Sequence, residues 1–150
     1  MDESDHWRTA WVAAGTLFAV HQSEEVVFSI EDWLDTINGT GSPRFDRYVR
    51  RSPIAAHALS TRALALVAQS TTLAVLALAT RRSPRATRLL TSGICAGFGA
   101  AFVMHIVVAA RTRSAMPGLA TSVAPGLPGV VVALRRIWVN GSAVKAAPRR

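Results

Sequence analysis

A chain of 150 residues with a single cysteine, Cys95, is one domain by length and has neither an internal disulfide nor a multi-cysteine zinc site. Half of its residues are hydrophobic, its mean hydropathy is +0.27 and only 17% are charged, against roughly a quarter in a soluble domain. The net charge of +8 rests on sixteen arginines and one lysine, Lys145, set in clusters between apolar runs, which is the pattern of a membrane protein rather than of a nucleic-acid-binding face.

The acidic start Met1-Asp2-Glu3-Ser4-Asp5 lacks the basic start of a secretory leader, so no cleaved peptide is expected. The first helix is expected from about residue 7 to residue 30, with Ser4 or Asp5 as its cap and Trp7 and Trp11 at an interface. Its 24 residues would cover about 36 Å, enough to cross a bilayer. Glu31-Asp32-Trp33 begins an interfacial segment. Asn38-Gly39-Thr40-Gly41-Ser42-Pro43 is a turn cluster, and its sequon pattern is ascribed to turn chemistry. Arg44, Arg47, Arg50 and Arg51 alternate with Phe45 and Tyr48 in a short amphipathic piece suited to lipid headgroups.

Ser52-Pro53 reads as N-cap and first residue of a second helix over 53–79. A third is expected over 87–110, where Gly93, Gly97, Ala96, Ala100 and Ala101 would let a neighbour approach closely. Cys95 within it reads as a small buried residue. A fourth helix, over 117–138, follows Met116-Pro117-Gly118 and is interrupted by Pro125, Gly126, Pro128 and Gly129. A broken helix at membrane depth has to be packed in protein or line a cavity. The expected architecture is therefore all-α: a four-helix transmembrane bundle with its fourth helix interrupted by Pro and Gly. Ten Lys and Arg on the face carrying both termini, against seven on the other, orient the termini toward the cytoplasm of a multi-pass cell-membrane protein.

The chemistry is concentrated in His21-Gln22-Ser23-Glu24-Glu25, inside an apolar run. Residues three and four apart share a helix face, so His21 is expected to point with Glu24 and Glu25 while Gln22 and Ser23 point elsewhere. Carboxylates inserted in a membrane cost about 2.5–3.5 kcal/mol each and are functional candidates. An ion pair with Arg62 or Arg111 is the competing structural account, and Arg62 is otherwise expected to snorkel. With four alternating spans, His57, His105 and the Pro/Gly break fall at the depth of His21. The candidate catalytic residues are His21, Glu24, Glu25 and His105, and the candidate substrate-binding residues are His57, Pro117 and Gly118. His57 can equally sit at the interface, and the competing reading of His105 is a structural histidine bonding a carbonyl of the fourth helix.

His21-x-x-Glu24-Glu25 late in a first apolar helix, with His105, Pro117-Gly118, Thr121 and Pro128 downstream, resembles the HXXEE family of small bacterial integral membrane proteins. The resemblance covers about residues 7–134. Ala115-Met116 stands where that family often has an aromatic residue before Pro-Gly. The family is largely of unknown function, so the resemblance implies the membrane and the residues, not a reaction.

A carboxylic acid in an apolar pocket favours its neutral, proton-donating form. Glu24 or Glu25 could therefore protonate an alkene or epoxide, with His21 and His105 as base or orienter. This predicts a cofactor-free isomerase or cyclase acting on a hydrophobic lipid-like or isoprenoid-like substrate. A metal-dependent variant would place zinc or iron on His21, Glu24, Glu25 and His105. The non-enzymatic readings are a proton-coupled carrier, for which four short spans could pair as a homodimer, and a subunit of a larger membrane complex. The bilayer and a hydrophobic small molecule are the expected partners, and nucleic acid is not.

Overall fold

In the computed structural model, which describes residues 3–143 and the side chains of residues 7–138, the secondary structure is entirely helical. The long helices are α1 (Glu3–Val27), α4 (Leu59–Thr80), α5 (Pro84–Thr112) and α7 (Leu127–Ala143). Two short helices, α2 (Ile30–Thr36) and α3 (Pro43–Arg51), join α1 to α4. A single turn, α6 (Leu119–Thr121), and a π-helical turn over Ser122–Gly126 lead into α7. Helices α1, α5 and α7 pack on one another, and α4 leans on α1 and more sparsely on α5. The first core cluster lies among α1, α5 and α7 and includes Ala10, Leu17, Cys95, Phe102 and Ile137. The second lies under α2 and α3 and includes Trp33, Leu34, Val49 and Met116.

Element boundaries depart from the sequence expectation where tertiary contacts hold the chain. Helix α1 already contains Ser4 and Asp5, so neither caps its start. It stops at Val27 rather than at residue 30, because Ser29 is extended and its hydroxyl caps α2 by accepting from the Asp32 N–H. Ser52-Pro53 does not open the second long helix: Ser52 terminates α3, and α4 begins at Leu59. A residue before proline avoids the helical region, and the loop that follows is pinned elsewhere. The Ala55 carbonyl accepts from the Glu31 N–H and the Ser29 hydroxyl. The Ser-Pro signal works at Ser83-Pro84 instead, where the Ser83 hydroxyl accepts from Ala86 and α5 starts three residues before the expected Thr87. The fourth helix starts at Leu119 and is broken at Ala124, whose backbone is extended ahead of Pro125. Lys145, Arg149 and Arg150, which enter the charge count, lie outside the described residues.

Trp7 and Trp11 bind protein rather than marking an interface alone. Their indole N–H groups donate to the Ala77 carbonyl at 2.8 Å and to the Thr80 hydroxyl at 3.1 Å, which fixes the start of α1 to the end of α4. The turn cluster behaves as expected: Asn38, Gly39 and Gly41 all take positive φ. The small residues of α5 do not all admit a neighbour. Gly99 faces Val130 of α7, but Gly93 and Gly97 look onto open space.

Among the described residues two helices, α4 and α5, are long and apolar enough to cross a membrane, and in α4 only 6% of the apolar stretch is buried. Leu64, Val67, Val75 and Leu78 stand exposed along it.

Candidate functional site

One carboxylate and two imidazoles of the predicted set converge. Helix α1 supplies His21 and Glu25, one turn apart, and α5 supplies His105. Glu25 Oε1 lies 3.0 Å from His105 Nε2 and 3.7 Å from His21 Nε2. All three side chains are buried, His105 completely. His21 is held by aromatic contacts: Phe98 and Phe102 flank it at centroid distances of 5.5 and 5.3 Å, and the His105 ring meets it edge-on at 5.4 Å.

The Pro117-Gly118 turn ahead of α6 sets His105. Its Nδ1 lies 2.8 Å from the Pro117 carbonyl, which can only accept, so Nδ1 carries the proton and donates. Nε2, the atom facing Glu25, then presents its lone pair unless the ring is doubly protonated. The close approach requires glycine at the next position. Gly118 has φ +88°, and a Cβ there would lie 2.4 Å from His105 Cε1. Pro117 and Gly118, expected to bind substrate, thus buttress His105 and do not line the cavity in front of it.

Three buried polar atoms at this site lack a hydrogen-bond partner among the described residues: His21 Nδ1, Gln22 Oε1 and His105 Nε2. A carboxylate and an imidazole lone pair 3.0 Å apart repel, so something positive belongs between them: a proton, or a metal ion. One ligand atom from each of His21, Glu25 and His105 lies within 4.8 Å of the others.

Glu24 goes elsewhere. Its Oε2 accepts from the Thr121 N–H and the Thr121 hydroxyl, both at 3.0 Å, and so ties α1 to the interrupted helix. That satisfies a charged group with a backbone donor that the first turn of α6 leaves without a helical partner. Gln22, expected to point away, is buried beside His21 and faces the same cavity as Glu25. Consecutive helical residues diverge by about 100°, but the cavity is wide enough to take both.

His57 is not with His21 and His105. It sits at the protein surface in the loop before α4, 53% exposed. Its Nδ1 pairs with Asp32 Oδ1 at 2.5 Å, and Glu31 and Asp35 each stand 3.5 Å from Nε2. The hydrogen bond with Asp32 pushes the His57 pKa up and the Asp32 pKa down. Arg62 does not snorkel and pairs with neither Glu24 nor Glu25 among the described residues. It is 5% exposed and donates to the carbonyls of Val26, Ala56 and His57, which caps the end of α1 and holds the loop.

The centre opens onto a cavity of about 600 Å³, within the usual range for small-molecule sites. Its walls are mostly apolar. Phe18 of α1, Leu73 of α4, Ile94 and Phe98 of α5, and Phe45 and Val49 of α3 are among them. Gln69 and Thr72 of α4 line it and are also exposed, so it opens on the flank between α4 and α5. The sequence reading missed the contribution of α3. The signal was present in the spacing of Phe45, Tyr48, Val49 and Ser52 at i, i+3, i+4 and i+7.

Comparison with known proteins gives one match. Residues 12–133 match the family model described as "Protein of unknown function with HXXEE motif". No curated protein and no solved structure matches the chain.

Proposed function

This chain belongs to the HXXEE family, and we propose that it is a membrane-embedded enzyme acting on a hydrophobic, lipid-like substrate held in the cavity between α1, α4 and α5. The membrane reading is a four-helix transmembrane bundle with both termini on the cytoplasmic side. It is supported by α4, whose long stretch of high mean hydropathy is nearly unburied by protein, a surface that water would not tolerate over this length.

The observation that carries the enzymatic reading is the pair Glu25 Oε1 and His105 Nε2, 3.0 Å apart in the wall of a largely apolar cavity. With His105 Nδ1 committed to a carbonyl, a proton shared by this pair belongs to Glu25 or His105. It can be handed to an alkene carbon of the substrate. In this reading His21 takes a proton from the neighbouring carbon, which moves the double bond or closes a ring with no net change in atoms, and returns it to Glu25, 3.7 Å away. The ring of Phe98, which lines the cavity beside His21, suits a transient cation.

The test is solvent exchange. Purified protein incubated in D₂O with an extract of membrane lipids is expected to place deuterium in one lipid species, detected by mass spectrometry, and Glu25→Gln is expected to abolish it. Label incorporation that survives Glu25→Gln in folded protein overturns the assignment.

A second reading is favoured by the unpartnered Nδ1 of His21 and the mutual closeness of the three ligand atoms. Two imidazoles and one carboxylate facing a cavity are a donor set for zinc or iron(II), which would polarise a substrate oxygen or a water there. The Pro117 carbonyl on His105 Nδ1 is the type of outer contact that orients a ligating histidine. Elemental analysis separates the readings: about one zinc or iron per chain, lost in His105→Ala, supports the metal, and active metal-free protein excludes it.

A further inference from the structure

The cavity has two unlike ends. Ile94, Gly97 and Phe98 line it on α5, and so do Met104 and His105 further along. Eleven residues of helix separate Ile94 from His105, so the groove runs about 16 Å and has room for an extended chain of roughly a dozen carbons. The Ile94 end is apolar, with Phe18 and Phe98 facing each other at 6.1 Å between centroids. The other end lies under α3, where Phe45, Tyr48 and Val49 on one helix face, and Ser52 just past its end, line the cavity. His21, Glu25 and His105 sit nearer this second end, since Met104 and Val49 belong to the same packed cluster under α3.

Helix α3 also carries the charge. Arg44 lies one turn before Tyr48 and Arg51 one turn after it, so both flank the cavity-facing stripe. Both are exposed, and neither pairs with a carboxylate among the described residues. Arg50, on the opposite side of the helix, is occupied by Asp35, and Arg62 is occupied by three carbonyls. Arg47 is likewise exposed and pairs with no carboxylate among the described residues, but it lies on the side of α3 away from the stripe, so Arg44 and Arg51 are the uncommitted guanidinium groups at the rim nearest the reactive centre.

From this we infer that the ligand is a single-chain anionic amphiphile. It enters sideways through the gap between α4 and α5, lays its tail toward Ile94 and leaves its anionic head at Arg44 and Arg51. The bond acted on then lies close to the head and not in the middle of the tail. Only that last clause rests on the proposed function; the seating of head and tail rests on the groove and α3.

The full chain in nanodiscs of zwitterionic lipid is titrated with dodecyl phosphate, dodecanol, hexyl phosphate and inorganic phosphate, with binding read by native mass spectrometry. Dodecyl phosphate is expected to bind at least about tenfold more tightly than dodecanol, one decade being about 1.4 kcal/mol. The double variant Arg44→Ser/Arg51→Ser is expected to remove that preference and leave dodecanol binding unchanged. Gly97 lines the groove and nothing lies within 4 Å of the position a Cβ would take, so Gly97→Leu extends its side chain into the groove. It is expected to weaken dodecyl phosphate at least tenfold and leave hexyl phosphate unaffected. Equal binding of dodecyl phosphate and dodecanol by the native chain overturns the anionic head. Displacement of dodecyl phosphate by inorganic phosphate alone overturns the amphiphile in favour of a free anion. Binding as expected, with deuterium incorporation unaffected by Glu25→Gln, leaves the ligand assignment standing and removes the catalytic one.

Discussion

His105 and His57 each face carboxylates at close range, yet they are opposite solutions to the same chemistry. His105 is sealed between α5, α1 and the Pro117-Gly118 turn, with one nitrogen satisfied and the other aimed at a buried acid. His57 is half exposed, and both of its nitrogens stand near acids that water also reaches. In the interior, an unbalanced lone pair or charge is costly, so protonation is tied to packing. At the surface the same pair is screened and contributes little. A histidine beside a glutamate is thus no site by itself; burial against an apolar cavity makes it one.

Four perturbations break or sharpen this contrast, in order of decreasing effect. Glu25→Gln keeps the shape of the buried centre and removes its acid, and is expected to cost about 10²–10⁴ in turnover, measured by deuterium incorporation, while Asp32→Asn beside His57 leaves turnover unchanged. Gly118→Ala forces a Cβ into the His105 ring at a positive φ. It is expected to destabilise the protein by about 2–5 kcal/mol, read by thermal unfolding in detergent. Arg62→Met strips three carbonyls of their donor at the point where α1 meets the His57 loop. It should cost about 2–4 kcal/mol and loosen the His57 loop before the buried centre, as seen by hydrogen exchange.

The smallest effect is the pH dependence of the surface pair. A raised His57 pKa contributes stability that is complete below its ordinary value of 6.5 and is lost as pH rises through the raised value. A lowered Asp32 pKa contributes stability present above 3.8 and lost as pH falls through the lowered value. The difference in melting temperature between the native chain and His57→Ala should therefore be largest between about pH 4 and 6.5 and shrink on either side. A difference that grows above neutral pH contradicts the pairing described.

Much of the candidate site was legible in the spacing. His21 and Glu25 one turn apart in an apolar run, and a later histidine at matching depth, led to the right pair of helices. The part that was not legible is the choice between Glu24 and Glu25. A helix places both within reach of His21, and only the position of the Thr121 N–H draws Glu24 away. Ser52-Pro53 and Ser83-Pro84 show the same limit for the fold. The two dipeptides carry one local preference, yet only the second starts a helix, because the first is followed by a loop that α2 and Arg62 hold in place. Gln22 was misread because a periodicity names the centre of a face and not the width of the cavity it meets.

The sequence by itself determined the helices, their apolar character and the glycine beside Pro117, because helix periodicity, hydrophobicity and proline and glycine backbone preferences act locally. The tertiary structure alone decided which acid His105 faces, that His57 stays outside, and that α3 closes one end of the groove. Those outcomes depend on lateral packing between segments far apart in the chain, where a rotation of one helix by a single residue would exchange one partner for another.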